Sequence, residues 1–79
     1  MTGSKQVREF LISKGVKANS IGIIYNDKRK SSRRYKIWIY WGISQELANK
    51  VGDGLSELGC CGISISTREI IFSVPDKNN

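Results

Sequence analysis

Histidine is absent from this 79-residue chain. With it go the Ser-His and Cys-His dyads, the usual proton shuttle near neutral pH, and most mixed zinc sites. Cysteine is nearly as scarce, and the two present, Cys60 and Cys61, are neighbours. Adjacent residues do not easily reach disulfide geometry and two thiolates alone make a poor zinc site, so no internal staple is expected. Two free thiols suit a reducing compartment. Long hydrophobic runs are missing as well: the longest apolar stretch, Ile37–Trp41, is far too short to cross a bilayer. Lys5, Arg8, Glu9 and Lys14 interrupt the opening segment, which leaves no signal-peptide core. A soluble, cytoplasmic protein is expected.

Acidic residues number only seven and are scattered. None pairs with another in an apolar setting that would raise one pKa for acid–base work. Asp53 and Glu57 lie one helical turn apart on what reads as a solvent-facing side, where a solubilising role suffices. The string GDGLSELG has the wrong spacing for a phosphate or dinucleotide fingerprint. The chain is also too short for the large catalytic scaffolds. The sequence therefore predicts no enzyme, no cofactor and no metal site. It fits a single domain spanning 1–79. A domain of this size buries roughly 60–65% of its unfolded surface, so a second copy of itself is one open route to stability.

What is present begins with two amphipathic segments. Val7, Phe10 and Leu11 form one apolar stripe of a helix over about 5–14, with Ser4 or Thr2 as cap and Gly15 as stop. Ile12 points off that stripe. A second helix, about 44–58, has Ser44 as N-cap, Glu46 in its first turn, and Leu47, Val51, Leu55 and Leu58 on one face. Gly52 and Gly54 within it each cost about 1 kcal/mol relative to alanine, which suggests close packing there. Each helix precedes a hairpin: about 21–41, with strands Ile21–Tyr25 and Tyr35–Trp41 around the polar run NDKRKSSRR, and about 62–74, ended by Pro75 and a frayed tail at 76–79. The expected fold is α+β, a two-layer sandwich in α-β-β-α-β-β order. Two helices lie on one face of a four-stranded, mainly antiparallel sheet. The two halves share this architecture with little residue identity.

Alternation then divides the sheet residues between its faces. Tyr35, Ile37, Ile39 and Trp41 read as inward, as do Ile63, Ile65, Ile70, Phe72 and Val74, with Ile21, Ile23 and Tyr25 joining them. Lys36, Trp38 and Tyr40 then face outward, with Ile24 and Ile71 nearby. No second layer covers them, so a partner surface is expected. That partner is another copy of the chain, a different protein, or stacked nucleobases.

Charge is as uneven as hydrophobicity. The net charge is +6, yet residues 1–36 carry +8 and residues 37–79 carry −2. Lys28, Arg29, Lys30, Arg33, Arg34 and Lys36 place six cations within nine residues on the first hairpin. Such a cluster can sit idle in solvent. With Ser31 and Ser32 beside it, it also suits phosphate, through point charges, forked donors and counterion release. Cations continuing into Trp38 and Tyr40 along one strand are the ingredients of single-strand binding. The sequence therefore predicts a small nucleic-acid-binding module, for DNA or RNA. The alternative is a protein-interaction or inhibitor module docking on an acidic protein surface, in the compositional style of small viral or mobile-element proteins. Either could be a homodimer.

Overall fold

The computed structural model describes residues 3–28 and 32–75. Thr2, Arg29, Lys30, Ser31 and the tail at 76–79 lie outside them. The order is helix α1 (Ser4–Lys14), a 3-10 turn (Ala18–Ser20), strands β1 (Ile21–Lys28) and β2 (Ser32–Ile39), helix α2 (Gln45–Glu57), and strands β3 (Cys61–Ile65) and β4 (Glu69–Pro75). The strands form one antiparallel sheet in the order β1-β2-β4-β3, so each helix–hairpin unit supplies one central and one edge strand. This is the α+β arrangement that the sequence predicts.

Both helices lie on the same sheet face. The core joins Val7 and Leu11 of α1 and Val51 and Leu55 of α2 to Tyr35, Ile37, Ile39, Ile70 and Phe72 of the two central strands. At its centre the cross-strand partners Tyr35 and Phe72 stack, with ring centroids 5.3 Å apart. The glycines of α2 serve packing: a Cβ on Gly54 would stand 2.9 Å from Lys14 Cε and 3.0 Å from the Phe10 ring, so the two helices approach closely at that point. Ser44 caps α2 by accepting a hydrogen bond from the Leu47 N–H at 3.1 Å. The N-cap of α1 is Gly3 rather than Ser4, and among the described residues no side chain caps that end; Thr2 lies outside them. Leu58, expected on the buried face of α2, lies beyond the last turn and is exposed.

The largest departure from simple alternation is in β1. Ile21 pairs with Ile39 and Ile24 with Ile37, so three steps on β1 match two on β2. The extra residue is a β-bulge at Gly22 and Ile23. It turns both Ile21 and Ile24 toward the helices and reverses the phase of the rest of the strand. Ile24, expected on the outer face, packs against the core, whereas Ile23 (61% exposed) and Tyr25 (62% exposed), expected inside, face outward. Gly22 is required there by close approach: a Cβ would meet the Trp38 carbonyl oxygen at 2.9 Å and the Tyr40 ring at 3.1 Å. The edge strand β3 has a matching irregularity between Cys61 and Ser64, which contains Gly62. Thus both edge strands are bulged at a glycine.

The hairpin strands are also longer toward their tip than expected, reaching Lys28 and starting again at Ser32. At the other end β2 stops at Ile39. Trp41 therefore falls in a turn and is 74% exposed instead of buried. That turn is pinned by the Tyr40 N–H on the Ser20 carbonyl (2.7 Å), the Trp41 N–H on Ser20 Oγ (3.1 Å) and the Ile43 N–H on the Thr67 carbonyl (2.7 Å).

Two buried groups resist ionisation. Among the described residues, the Tyr35 hydroxyl is enclosed without a close hydrogen-bond partner. Burial raises its pKa above the ordinary 10.0; the nearby Arg33, which donates to Asn26 Oδ1 at 3.2 Å, opposes the rise through its charge and a weak hydrogen-bonding approach. Burial likewise raises the Cys60 thiol above 9.0, and the neighbouring Cys61 adds to the shift. Cys61 itself is exposed, so the two thiols point to opposite environments.

This packing makes two substitutions informative. Gly22→Ala forces β1 away from β2 and is expected to destabilise the fold by about 1–3 kcal/mol in urea unfolding; an unchanged midpoint contradicts the close approach. Tyr35→Phe removes a hydroxyl whose unpartnered burial costs about 1–3 kcal/mol, and is expected to leave stability unchanged or raise it by about 1 kcal/mol. Because the unfolded chain releases these protons first, wild-type stability falls as pH rises past 9.0 for Cys60 and past 10.0 for Tyr35. The variant's decline above pH 10.0 is expected to be shallower. A large loss of stability in Tyr35→Phe would show that the hydroxyl has a partner.

Candidate nucleic-acid interface

The outer face is built on β2. Side chains of a strand alternate, so burial of Tyr35, Ile37 and Ile39 sends Arg34, Lys36, Trp38 and then Tyr40 to the opposite side. Trp38 and Tyr40 remain about half exposed. The bulge adds Ile23 and Tyr25 from β1. Together Ile23, Tyr25, Lys36, Trp38, Tyr40 and Glu69 line an open groove of about 340 Å³. Tyr40 is seated over Gly22, and the turn contacts with Ser20 hold its backbone.

The sequence anticipates Lys36, Trp38 and Tyr40 in this row. Ile71 is the cross-strand partner of Lys36 and lies half-buried beside it. Ile24 does not belong here, because the bulge has turned it inward. Ile23 and Tyr25 are the residues that sequence alternation misses. The only local signal for them is Gly22 inside an otherwise apolar run, a pattern that marks bulges.

The basic cluster does not act as one patch. Lys28 and Arg33 are cross-strand partners in phase with Tyr35, on the helix side of the sheet, where Arg33 is held to Asn26. Arg34 and Lys36 project from the outer face. Arg34 donates to Ser73 Oγ at 3.3 Å, and Lys36 Nζ lies 3.5 Å from Glu69 Oε2 in an ion pair. The Arg34–Ser73 contact helps cover Ser73, which is buried although its phase is outward. Arg29 and Lys30 complete the sequence cluster but lie outside the described residues.

This arrangement grades from cationic to aromatic along one strand. Nearest the tip on the outer face is Arg34, across from Asp27, with Lys28 and Arg33 on the opposite side of the ribbon. Lys36 comes next, its charge opposed by Glu69, and then the rings of Trp38 and Tyr40, flanked by Tyr25. Forked guanidinium groups and ammonium groups bind anions, and exposed ring faces bind flat apolar groups. Among the described residues, no three His, Cys, Asp or Glu side chains converge as metal ligands. No described helix is long and apolar enough to cross a membrane. No protein family matches this chain, and neither a curated protein nor a solved structure is significantly similar to it.

Proposed function

We propose that the protein is a small nucleic-acid-binding module, and not an enzyme, that uses the outer face of its sheet and the cationic end of its first hairpin. The observation that carries this reading is the exposed row Arg34, Lys36 and Trp38 of β2 with Tyr40 just beyond it, widened into a groove by Tyr25 and Ile23. Phosphates supply a reason for the cations and bases a reason for the rings, and a single polymer offers both. The surplus of +8 in residues 1–36 would attract that polymer at long range, since the rest of the chain is slightly acidic. Free Cys60 and Cys61 fit a reducing, cytoplasmic setting for it.

A protein with an acidic surface is the competing partner. Ile23, an exposed aliphatic side chain in the groove, suits a protein contact as well as a base.

Titration of a labelled oligonucleotide by fluorescence anisotropy, with folding confirmed by circular dichroism, tests the proposal. About three to four neutralised phosphates on a single strand predict that log K falls with log salt at a slope of about −2 to −3. The double charge reversal Arg33→Glu with Arg34→Glu is expected to weaken binding at least tenfold, given about 1.4 kcal/mol lost for each tenfold change. Folded protein that binds no oligonucleotide at low salt overturns the reading. Retention of an acidic protein partner, lost in the same double variant, would then favour the inhibitor module.

A further inference from the structure

The outer face also bears on which form of nucleic acid fits it, an inference that rests on the proposed nucleic-acid function. We infer that the groove takes a short single strand with its bases unstacked onto Tyr25, Trp38 and Tyr40, and that it does not take a duplex.

Outward side chains on β2 recur every second residue, at about 6.6 Å. One strand of B-form DNA stacks its bases at about 3.4 Å. Trp38 is the outward ring of β2, Tyr40 follows just beyond the strand and Tyr25 stands on β1 across from Lys36, so the three rings are set apart on the scale of a strand repeat, about twice the stacked one, with room for an unstacked base against each. In a duplex both faces of every internal base are already covered, and the rings of a broad sheet reach neither groove floor with their faces. A single strand can turn its bases outward onto aromatic side chains.

Among the described residues, the only carboxylate lining the groove is Glu69, the cross-strand partner of Trp38 and the ion-pair partner of Lys36. The groove floor is therefore close to neutral and repels a phosphate near Glu69. Its apolar rings accept a base there. Toward the tip the outer face carries Arg34, with Asp27 as its cross-strand partner, and Lys28 and Arg33 stand on the opposite side of the ribbon, so the sugar-phosphate backbone is met at the hairpin end and not on the groove floor. The face thus sorts a single strand: bases lie at the Trp38–Tyr40 end and the chain leaves toward the hairpin tip. The eight residues of β2 span about 26 Å, which accommodates about four unstacked nucleotides.

The experiment uses the full chain carrying Trp41→Phe, so that the emission of Trp38 is observed alone. Single-stranded DNA, single-stranded RNA and a matched DNA duplex are titrated at one salt concentration. Either single strand is expected to quench Trp38 and to bind at least tenfold tighter than the duplex, with affinity reaching a plateau near four nucleotides. Trp38→Ala is expected to lose about 5–150-fold in single-strand affinity and little in duplex affinity. Should Trp38→Ala fail to fold, Trp38→Leu and Tyr40→Ala keep the comparison open. Equal or tighter duplex binding, or single-strand binding without quenching and unaffected by these variants, overturns the single-strand assignment. Salt-dependent binding in that case leaves the broader nucleic-acid function standing. Failure of every oligonucleotide to bind removes both. A dimer that becomes monomeric in Trp38→Ala, with no quenching in the parent protein, would assign the face to a second copy and also overturn the inference.

Discussion

The pairing of β2 with β4 is the constraint on which the rest of the molecule depends. Tyr35 faces Phe72, and Ile37 faces Ile70, at the middle of the sheet. These side chains must be buried, so the helices have to cover that side. A strand has a period of two, and a one-residue slip would exchange the faces completely. Burial of the inner row therefore determines the outer one. Arg34, Lys36, Trp38 and Tyr40 are exposed as a consequence of the core, and the only two described helices are already occupied on the other side.

Edge strands obey the same rule less strictly, because they pair on one side only. β1 takes an extra residue at Gly22 and Ile23, and β3 takes one between Cys61 and Ser64. A bulge at an edge disrupts few ladder bonds and makes the edge a poorer template for pairing with another chain. In β1 it has a second effect. By sending Ile24 inward it releases Ile23 and Tyr25 to the outer face, and by leaving Gly22 without a side chain it provides the seat of Tyr40. One glycine thus shapes both the core and the groove.

The uneven charge of the chain takes on a different meaning once the strands are placed. Along the sequence the cations form one run. In the fold that run is pleated, so Lys28 and Arg33 lie on one side of the ribbon and Arg34 and Lys36 on the other. A ribbon with cations on both sides presents charge around its tip, in contrast to a flat patch. Glu69, distant in sequence, pairs with Lys36 and tempers the charge where the rings begin.

The element order, the two-layer class and the outward row on β2 were legible from sequence. They rest on local rules: helical spacing at Val7, Leu11, Val51 and Leu55, capping by Ser44, and strict alternation in a central strand. The faces of Ile23, Ile24 and Tyr25 were not legible, because a bulge is decided by how β1 registers against β2. Nor was the exposure of Trp41, whose turn is set by contacts with Ser20 and Thr67 from other parts of the chain. The sequence by itself determined that an aromatic and cationic row would remain uncovered, since the inner row had to be buried. Only the tertiary structure decided that this row is the floor of a groove, because register and cross-strand partners are properties of residues far apart in the chain.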